Sequence, residues 1–225
     1  MSADSTPNAH PTIRVKICGL TRVEDVRHAA AAGASYLGYV FFPPSPRAIG
    51  VDAAQRLMEA APDGVIKTAL TVDPDDALVE ALRDLPTDLL QLHGRETPER
   101  VAEIRRCTGL PVMKAIGIRD ASDLTEIARY EAVADKLLID AKPPKGATRP
   151  GGNAISFDWR LIAGRRWQRP WLLAGGLTPE NVAEAIRLTG ADAVDVSSSV
   201  ESAPGVKDPS RTAAFITAAQ SRQAA

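Results

Sequence analysis

Residues 13–22 read IRVKICGLTR, and the alternation within them decides how the rest of the chain is read. Ile13 to Cys18 has the composition of a strand, and side chains along a strand point alternately to its two faces. Arg14, Lys16 and Cys18 therefore share one face and Val15 and Ile17 the other. A face carrying two charges is no ordinary core face, because burying unpaired charge is costly. It does suit a closed parallel barrel, in which one face of each strand packs under helices and the other lines an interior that opens into a chamber.

Seven further runs repeat the signal: YLGYVF (36–41), IKTALTV (66–72), LLQLH (89–93), PVMKAI (111–116), KLLID (136–140), PWLLA (170–174) and AVDV (193–196). Between them lie Ala-rich segments of helical composition, the mark of consecutive strand–helix units. Asp73-Pro74, Thr97-Pro98 and Thr178-Pro179 each pair a capping oxygen with a proline fit for the first helical position. Gly33, Gly109 and Gly190 stand where helices should end, and a terminal helix is expected from about Pro209 to Ala219. Eight strands, seven connections of helical length and that last helix predict an α/β fold, a single-domain (β/α)8 TIM barrel over residues 12–225, after a disordered leader at 1–11. The competing open, doubly wound sheet would call for a GxGxxG loop, and none is present.

Composition narrows the partners. With 44% hydrophobic and 24% charged residues and a formal net charge of -1, the chain offers no bulk attraction for nucleic acid or an anionic membrane. It has no apolar run long enough to span a bilayer and no signal-peptide core, so a cytoplasmic protein is expected. Cys18 and Cys107 are read as reduced thiols, and no spacing suggests a metal site. Cys107 continues the apolar spacing of Val101 and Ile104 and is expected in the core.

The same alternation turns Gln91 and His93, Asp140, and Asp195 and Ser197 inward on their strands. In this fold the active site lies at the C-terminal strand ends, where Cys18, His93, Asp140 and Asp195 should converge. Taken singly, each has a plainer reading: Cys18 as a small buried hydrophobe, His93 as a core histidine, Arg14 and Lys16 as ion-pair partners on the barrel floor. Four such residues at four strand ends favour a site. LLAGGLTPENV (172–182) runs from a strand through Gly175-Gly176 into a helix, and DVSSSVESAPGVKD (195–208) supplies Ser197, Ser198 and Ser199 after the eighth strand. Loops after the seventh and eighth strands commonly bind phosphate in this fold, although Gly175-Gly176 alone could be a tight turn.

In that order, VKICGLTR, FFPPSPRAI, LLQLHG, LLIDAKPPKG with a following FDW, LAGGLTPENV and AVDVSSSVESAPGVKD resemble the phosphoribosylanthranilate isomerases, from about Ile13 onward. The resemblance implies an Amadori rearrangement of a phosphosugar substrate in tryptophan biosynthesis, with no cofactor and no metal, by a monomer or homodimer. It implies Cys18 as general base, Asp140 as general acid and Arg47 as the partner of the anthranilate carboxylate. His93 and Asp195 would contact substrate, and Gly175, Gly176, Ser197 and Ser198 would cradle the phosphate. Lys16, two residues before Cys18 on the same face, is expected to help form the thiolate. A non-catalytic sugar-phosphate binder and a related isomerase of broader aminoaldose range are the alternatives.

Five positions depart from the family pattern: Asn153-Ala154 in a usually glycine-rich loop, Ala174 for serine, Ser199 for glycine and Thr71 for an aromatic. The segment Ala141 to Ile155, with Lys142, Lys145 and Arg149, is expected to form a substrate-covering lid.

Overall fold

A computed structural model describes residues 12–142 and 156–221. The expected leader at 1–11, the lid positions Lys145 and Arg149, and the Asn153-Ala154 departure all lie outside the described residues.

Eight parallel strands close into a barrel in sequence order. They are β1 (Arg14–Cys18), β2 (Tyr36–Phe41), β3 (Ile66–Thr71), β4 (Leu89–Leu92), β5 (Val112–Ile118), β6 (Lys136–Ala141), β7 (Trp171–Leu173) and β8 (Ala193–Val196). The seam pairs β1 with β8 and sets Lys16 opposite Asp195. Around the barrel pack α1 (Val23–Ala31), α2 (Val51–Glu59), α3 (Asp76–Arg83), α4 (Pro98–Thr108), α5 (Thr125–Glu131), α6 (Val182–Thr189) and α7 (Pro209–Gln220). The connections are less regular than seven helices. Between β6 and β7 the described residues form only a 3₁₀ turn, Trp159–Ile162. Between β8 and α7 a small antiparallel hairpin intervenes, β9 (Glu201–Ala203) with β10 (Val206–Lys207).

The alternation read from IRVKIC holds around the ring. Val15, Ile17, Leu90, Leu92, Leu137, Ile139, Val194 and Val196 join the large core between strands and helices. A second cluster fills one end of the barrel interior with Tyr36, Leu89, Met113, Leu138, Leu172 and Ala193. Arg14 lies at that apolar end, its guanidinium 5.6 Å from the Tyr36 ring centre, away from the polar strand ends. Lys16, Gln91, Asp140 and Asp195 occupy the other end, so the interior divides into a dry plug and a polar chamber.

Three local expectations are corrected. The cap of α3 is Asp75, whose carboxylate accepts from the Leu78 amide, while Asp73 adopts a positive φ of 47° in the preceding turn. Helix α6 starts later than Thr178-Pro179 suggests: Asn181 precedes its first residue, and the Asn181 carboxamide accepts from Thr178 N at 2.8 Å. Thr97-Pro98 does open α4 as expected. Cys107 is exposed, not core. At 100° per residue it lies well round the helix from Val101, and only Val101 and Ile104 of α4 are buried.

Candidate active site

Lys16 and Cys18, neighbours on the inner face of β1, meet Asp195 from β8 and Gly38 from β2. Lys16 is wholly buried and donates to Asp195 Oδ1 at 2.7 Å. Burial works against its charge, but Asp195 and Cys18 beside it prevail and hold the ammonium above its ordinary range. For Cys18 the balance falls the other way. Burial pushes the thiol up, Lys16 pulls it down, Asp195 pushes it up again, and the net shift is upward. The Lys16 ammonium beside it favours the thiolate but does not outweigh burial.

Gly38 makes this corner sterically feasible. It lies opposite Cys18 in the strand register, and a Cβ there would sit 2.8 Å from Cys18 Sγ and 3.0 Å from Lys16 Nζ.

Across the barrel, Asp140 near the end of β6 has a polar neighbour at each oxygen. Oδ1 accepts from the Ala141 amide at 2.7 Å, and Oδ2 lies 3.3 Å from His93 Nε2. His93 follows β4, and its Nδ1 lies 2.9 Å from Gln91 Nε2 on the same strand. Gly175, with φ of 88°, brings the end of β7 against the acid: a Cβ there would lie 2.6 Å from Ala141 N and 3.0 Å from Asp140 Oδ1. Only a glycine satisfies both the left-handed backbone and that approach.

Arg47, in the loop after β2, is nearly buried and gripped by one edge. Its Nε and Nη2 each donate to a Glu201 oxygen at 2.7 Å. Lys207 donates to Glu201 Oε1 at 2.8 Å and to the Ser197 carbonyl at 3.0 Å. Burial lowers the Lys207 ammonium despite Glu201, whereas Glu201, opposed by burial, is held low by Arg47 and Lys207. Behind Arg47 the chain passes so close at Gly19 that a Cβ would lie 2.3 Å from Arg47 Cδ. Arg47, Glu201, Ser45, Ser198, Pro44 and Pro204 line a common cleft.

The loops expected to hold phosphate are tied to one another. Gly176 has φ of 63°, and its carbonyl accepts from Asn181 Nδ2 at 3.0 Å. Ser197 Oγ donates to the Cys18 carbonyl at 3.0 Å, which joins the eighth loop to the end of β1. Ser198 opens a 3₁₀ turn that ends at Val200. Ser199 donates to the Leu177 carbonyl at 2.5 Å and does not adopt the left-handed backbone, so the serine bridges the two loops without strain. Ala174 is packed in the barrel interior, and nothing in the structure explains Thr71, whose buried hydroxyl lacks a partner.

Parallel strands thus bring Cys18, His93, Asp140 and Asp195 to one end of the barrel, with Arg47 and the Gly175–Gly176 and Ser197–Ser199 loops around that end. The model of the N-(5'-phosphoribosyl)anthranilate (PRA) isomerase family matches residues 15–218. The chain belongs to that family. N-(5'-phosphoribosyl)anthranilate isomerase of Cereibacter sphaeroides is 63% identical over 92% of this chain and 99% of its own, and that of Paramagnetospirillum magneticum is 59% identical over 92% and 97%. The crystal structure of phosphoribosyl anthranilate isomerase from Thermotoga maritima superposes with a TM-score of 0.83 at 35% identity, over 92% of this chain and 98% of that one. A phosphoribosyl anthranilate isomerase crystallised with reduced 1-(o-carboxyphenylamino)-1-deoxyribulose 5-phosphate gives 0.81 at 33% over the same shares.

Gly38, Gln91, Glu201 and Lys207 complete the site beside the residues singled out from sequence. Gly38 carried a legible sign, since an isolated glycine inside a strand often marks a close approach. Glu201 and Lys207 carried none: their meeting depends on the hairpin, which neither periodicity nor the resemblance brought out.

Proposed function

We propose that this isomerase of the tryptophan pathway converts N-(5'-phosphoribosyl)anthranilate into 1-(2-carboxyphenylamino)-1-deoxyribulose 5-phosphate with Cys18 as base and Asp140 as acid. Asp140 gives its proton to the furanose ring oxygen as the C1–O bond breaks and the nitrogen lone pair forms the C=N bond of a Schiff base. Cys18, as thiolate, takes the proton from C2. The C2–H electrons form the C1–C2 double bond, and the C=N pair returns to nitrogen. The enolamine then gains a proton at C1 and loses the C2 hydroxyl proton, which leaves the ketone. His93, through Nε2, stands where it can exchange a proton with Asp140.

The observation that carries this reading is the opposition of two groups at the same end of the barrel: a thiol beside the buried Lys16 on β1, and on β6 a carboxyl group with one oxygen on the Ala141 amide and the other 3.3 Å from His93 Nε2. Arg47 would take the anthranilate carboxylate, Asp195 and His93 would border the sugar, and Gly175, Gly176, Ser197 and Ser198 would receive the phosphate. All these groups come from one chain, so the reading holds for a monomer or a homodimer. It places the enzyme in the cytoplasm, and no described helix is long and apolar enough to cross a membrane.

The deciding experiment follows the fluorescence decay of freshly made phosphoribosylanthranilate, coupled to excess indoleglycerol phosphate synthase. Wild-type turnover with losses of several orders of magnitude in both Cys18→Ser and Asp140→Asn is the expected result. Retention of near-wild-type rates in either variant overturns that residue's role.

A further inference from the structure

We propose that Glu201 is a positioning residue for substrate selection: it holds Arg47 by its Nε/Nη2 edge and so aims the opposite edge of the guanidinium at the arylamine carboxylate. The proposal rests on the reading of Arg47 as the carboxylate's partner.

An arginine has five N–H bonds in a planar fork and can make paired hydrogen bonds along more than one edge. Glu201 takes the Nε and Nη2 hydrogens of the inner edge at 2.7 Å each. Among the described residues nothing else takes the Nη1 hydrogens or the second Nη2 hydrogen, so the Nη1/Nη2 edge has one direction once the inner edge is fixed. A free arginine would sample many rotamers and lose that entropy on binding. Here little of that freedom remains: Gly19 backs the side chain, and the Arg47 amide donates to Ser45 Oγ at 3.1 Å.

Glu201 is itself anchored from three sides. Its carbonyl accepts from Arg211 Nη1 at 2.6 Å, Lys207 holds Oε1, and the β9–β10 hairpin on which it sits is pinned by Thr21 Oγ1 donating to the Gly205 carbonyl at 2.6 Å. The Arg22–Asp25 pair meets the other end of the hairpin, where Asp25 Oδ2 accepts from Lys207 N at 3.2 Å. The orientation of Arg47 is thus transmitted from the loop after β1 through the hairpin to the loop after β2. Two cationic side chains share one carboxylate in this buried cluster, and a second carboxylate, the substrate's, would complete the balance. A substrate lacking that group would leave the exposed edge of Arg47 desolvated and unpaired, which penalises it.

The test measures, by calorimetry, binding of reduced 1-(o-carboxyphenylamino)-1-deoxyribulose 5-phosphate and of its phenylamino counterpart without the carboxylate. The preference of the wild type for the first should fall roughly 10- to 100-fold in Glu201→Gln, by loss of affinity for the carboxylate-bearing compound alone. Glu201→Asp, which keeps the charge on a shorter arm, should fall between, and Arg47→Met should abolish the preference. If Arg47→Met keeps the preference, the reading of Arg47 fails and this proposal with it. If Arg47→Met abolishes it while Glu201→Gln leaves it intact, only the proposal fails. Equal weakening of both compounds in Glu201→Gln reduces Glu201 to general structural support and overturns it too. Should Glu201→Gln not fold, Glu201→Asp is judged by the same two affinities.

Discussion

His93 Nε2 stands 3.3 Å from Asp140 Oδ2 while its Nδ1 lies 2.9 Å from Gln91 Nε2. Nε2 thus faces the acid and Nδ1 faces the Gln91 amide, so whichever end of that amide meets Nδ1 determines which ring nitrogen carries a proton.

Replacing that amide should release the tautomer. Gln91→Leu is expected to lower kcat about five- to tenfold, the worth of one hydrogen bond expressed in the barrier, with little change in KM. Nitrogen-15 imidazole shifts would report a change in which ring nitrogen is protonated. An unchanged spectrum would mean that Gln91 does not control His93.

Lys16 and Asp195 act on Cys18 with opposite signs. The ammonium favours the thiolate and the carboxylate disfavours it. Lys16→Met should therefore raise the Cys18 thiol pKa and Asp195→Asn should lower it, both read from the pH dependence of thiolate absorbance or alkylation in a Cys107→Ser background. Shifts of the same sign in the two variants would contradict the electrostatic account.

Because burial leads the balance and holds the thiol above its ordinary value of 9.0, the thiolate is a minor species at neutral pH. If proton removal by Cys18 limits and Asp140 keeps its proton across the range, log kcat/KM should climb by about one unit per pH unit through the neutral range and level only on the alkaline side. The same shift bears on stability. A thiol pKa raised by folding contributes stability that is fully present below the unfolded value and is lost as pH rises through the folded value. Denaturant midpoints of wild type should fall more steeply above pH 9 than those of Cys18→Ser, and parallel curves would refute the shift.

What could be read from the sequence was what strand geometry and resemblance determine together. Alternation of Val15 and Ile17 against Lys16 and Cys18 gave both the barrel and the inward groups, because a strand has only two faces. Turn chemistry was less legible. Asp73-Pro74 looked like a cap, yet Asp73 Oδ1 accepts from Arg95 N at 2.6 Å across to the neighbouring loop, and the cap passes to Asp75. Cys107 was misplaced because two apolar neighbours at spacing three do not define a stripe wide enough to include a third. Glu201 escaped notice since its partners lie 154 residues before it, a meeting that the closed barrel creates, and six after it, one that the hairpin creates.

A further buried ion pair lies outside the chamber, under the loop that carries His93. Lys114 Nζ donates to Glu96 Oε2 at 2.9 Å and to the Gly94 carbonyl at 2.8 Å, and it lies 5.4 Å from the Tyr130 ring centre. Lys114→Met strands a buried carboxylate, which should cost about 3–5 kcal/mol. For a chain of this size that is a drop in Tm of roughly 6–20 °C. A change of only a degree or two by calorimetry would show that the pair does not stabilise this loop.

The most economical probe of the catalytic corner is Gly38→Ala. Gly38 has an ordinary backbone, so the substitution adds no conformational strain, and its whole effect comes from one methyl group. That methyl would lie 2.8 Å from Cys18 Sγ, 3.0 Å from Cys18 Cα and 3.0 Å from Lys16 Nζ. Sγ and Nζ end side chains and can swing away; Cα belongs to β1 and cannot move without disturbing the ladder. The contacts with Sγ and Nζ are relieved by turning them out of their positions, which separates the thiol from its ammonium, while the contact with Cα takes a few tenths of an ångström from the β1–β2 seam. Overpacking of this kind costs about 1–3 kcal/mol of stability, which a barrel survives. Activity should suffer more, with kcat/KM down roughly a hundredfold or more, since misplacing a reacting group by about 1 Å has that effect. Far-ultraviolet dichroism should stay unchanged and the Cys18 thiol pKa should rise as Lys16 is displaced. An active Gly38→Ala enzyme with an unmoved thiol pKa would show that the Cys18–Lys16 contact is not what the chemistry needs.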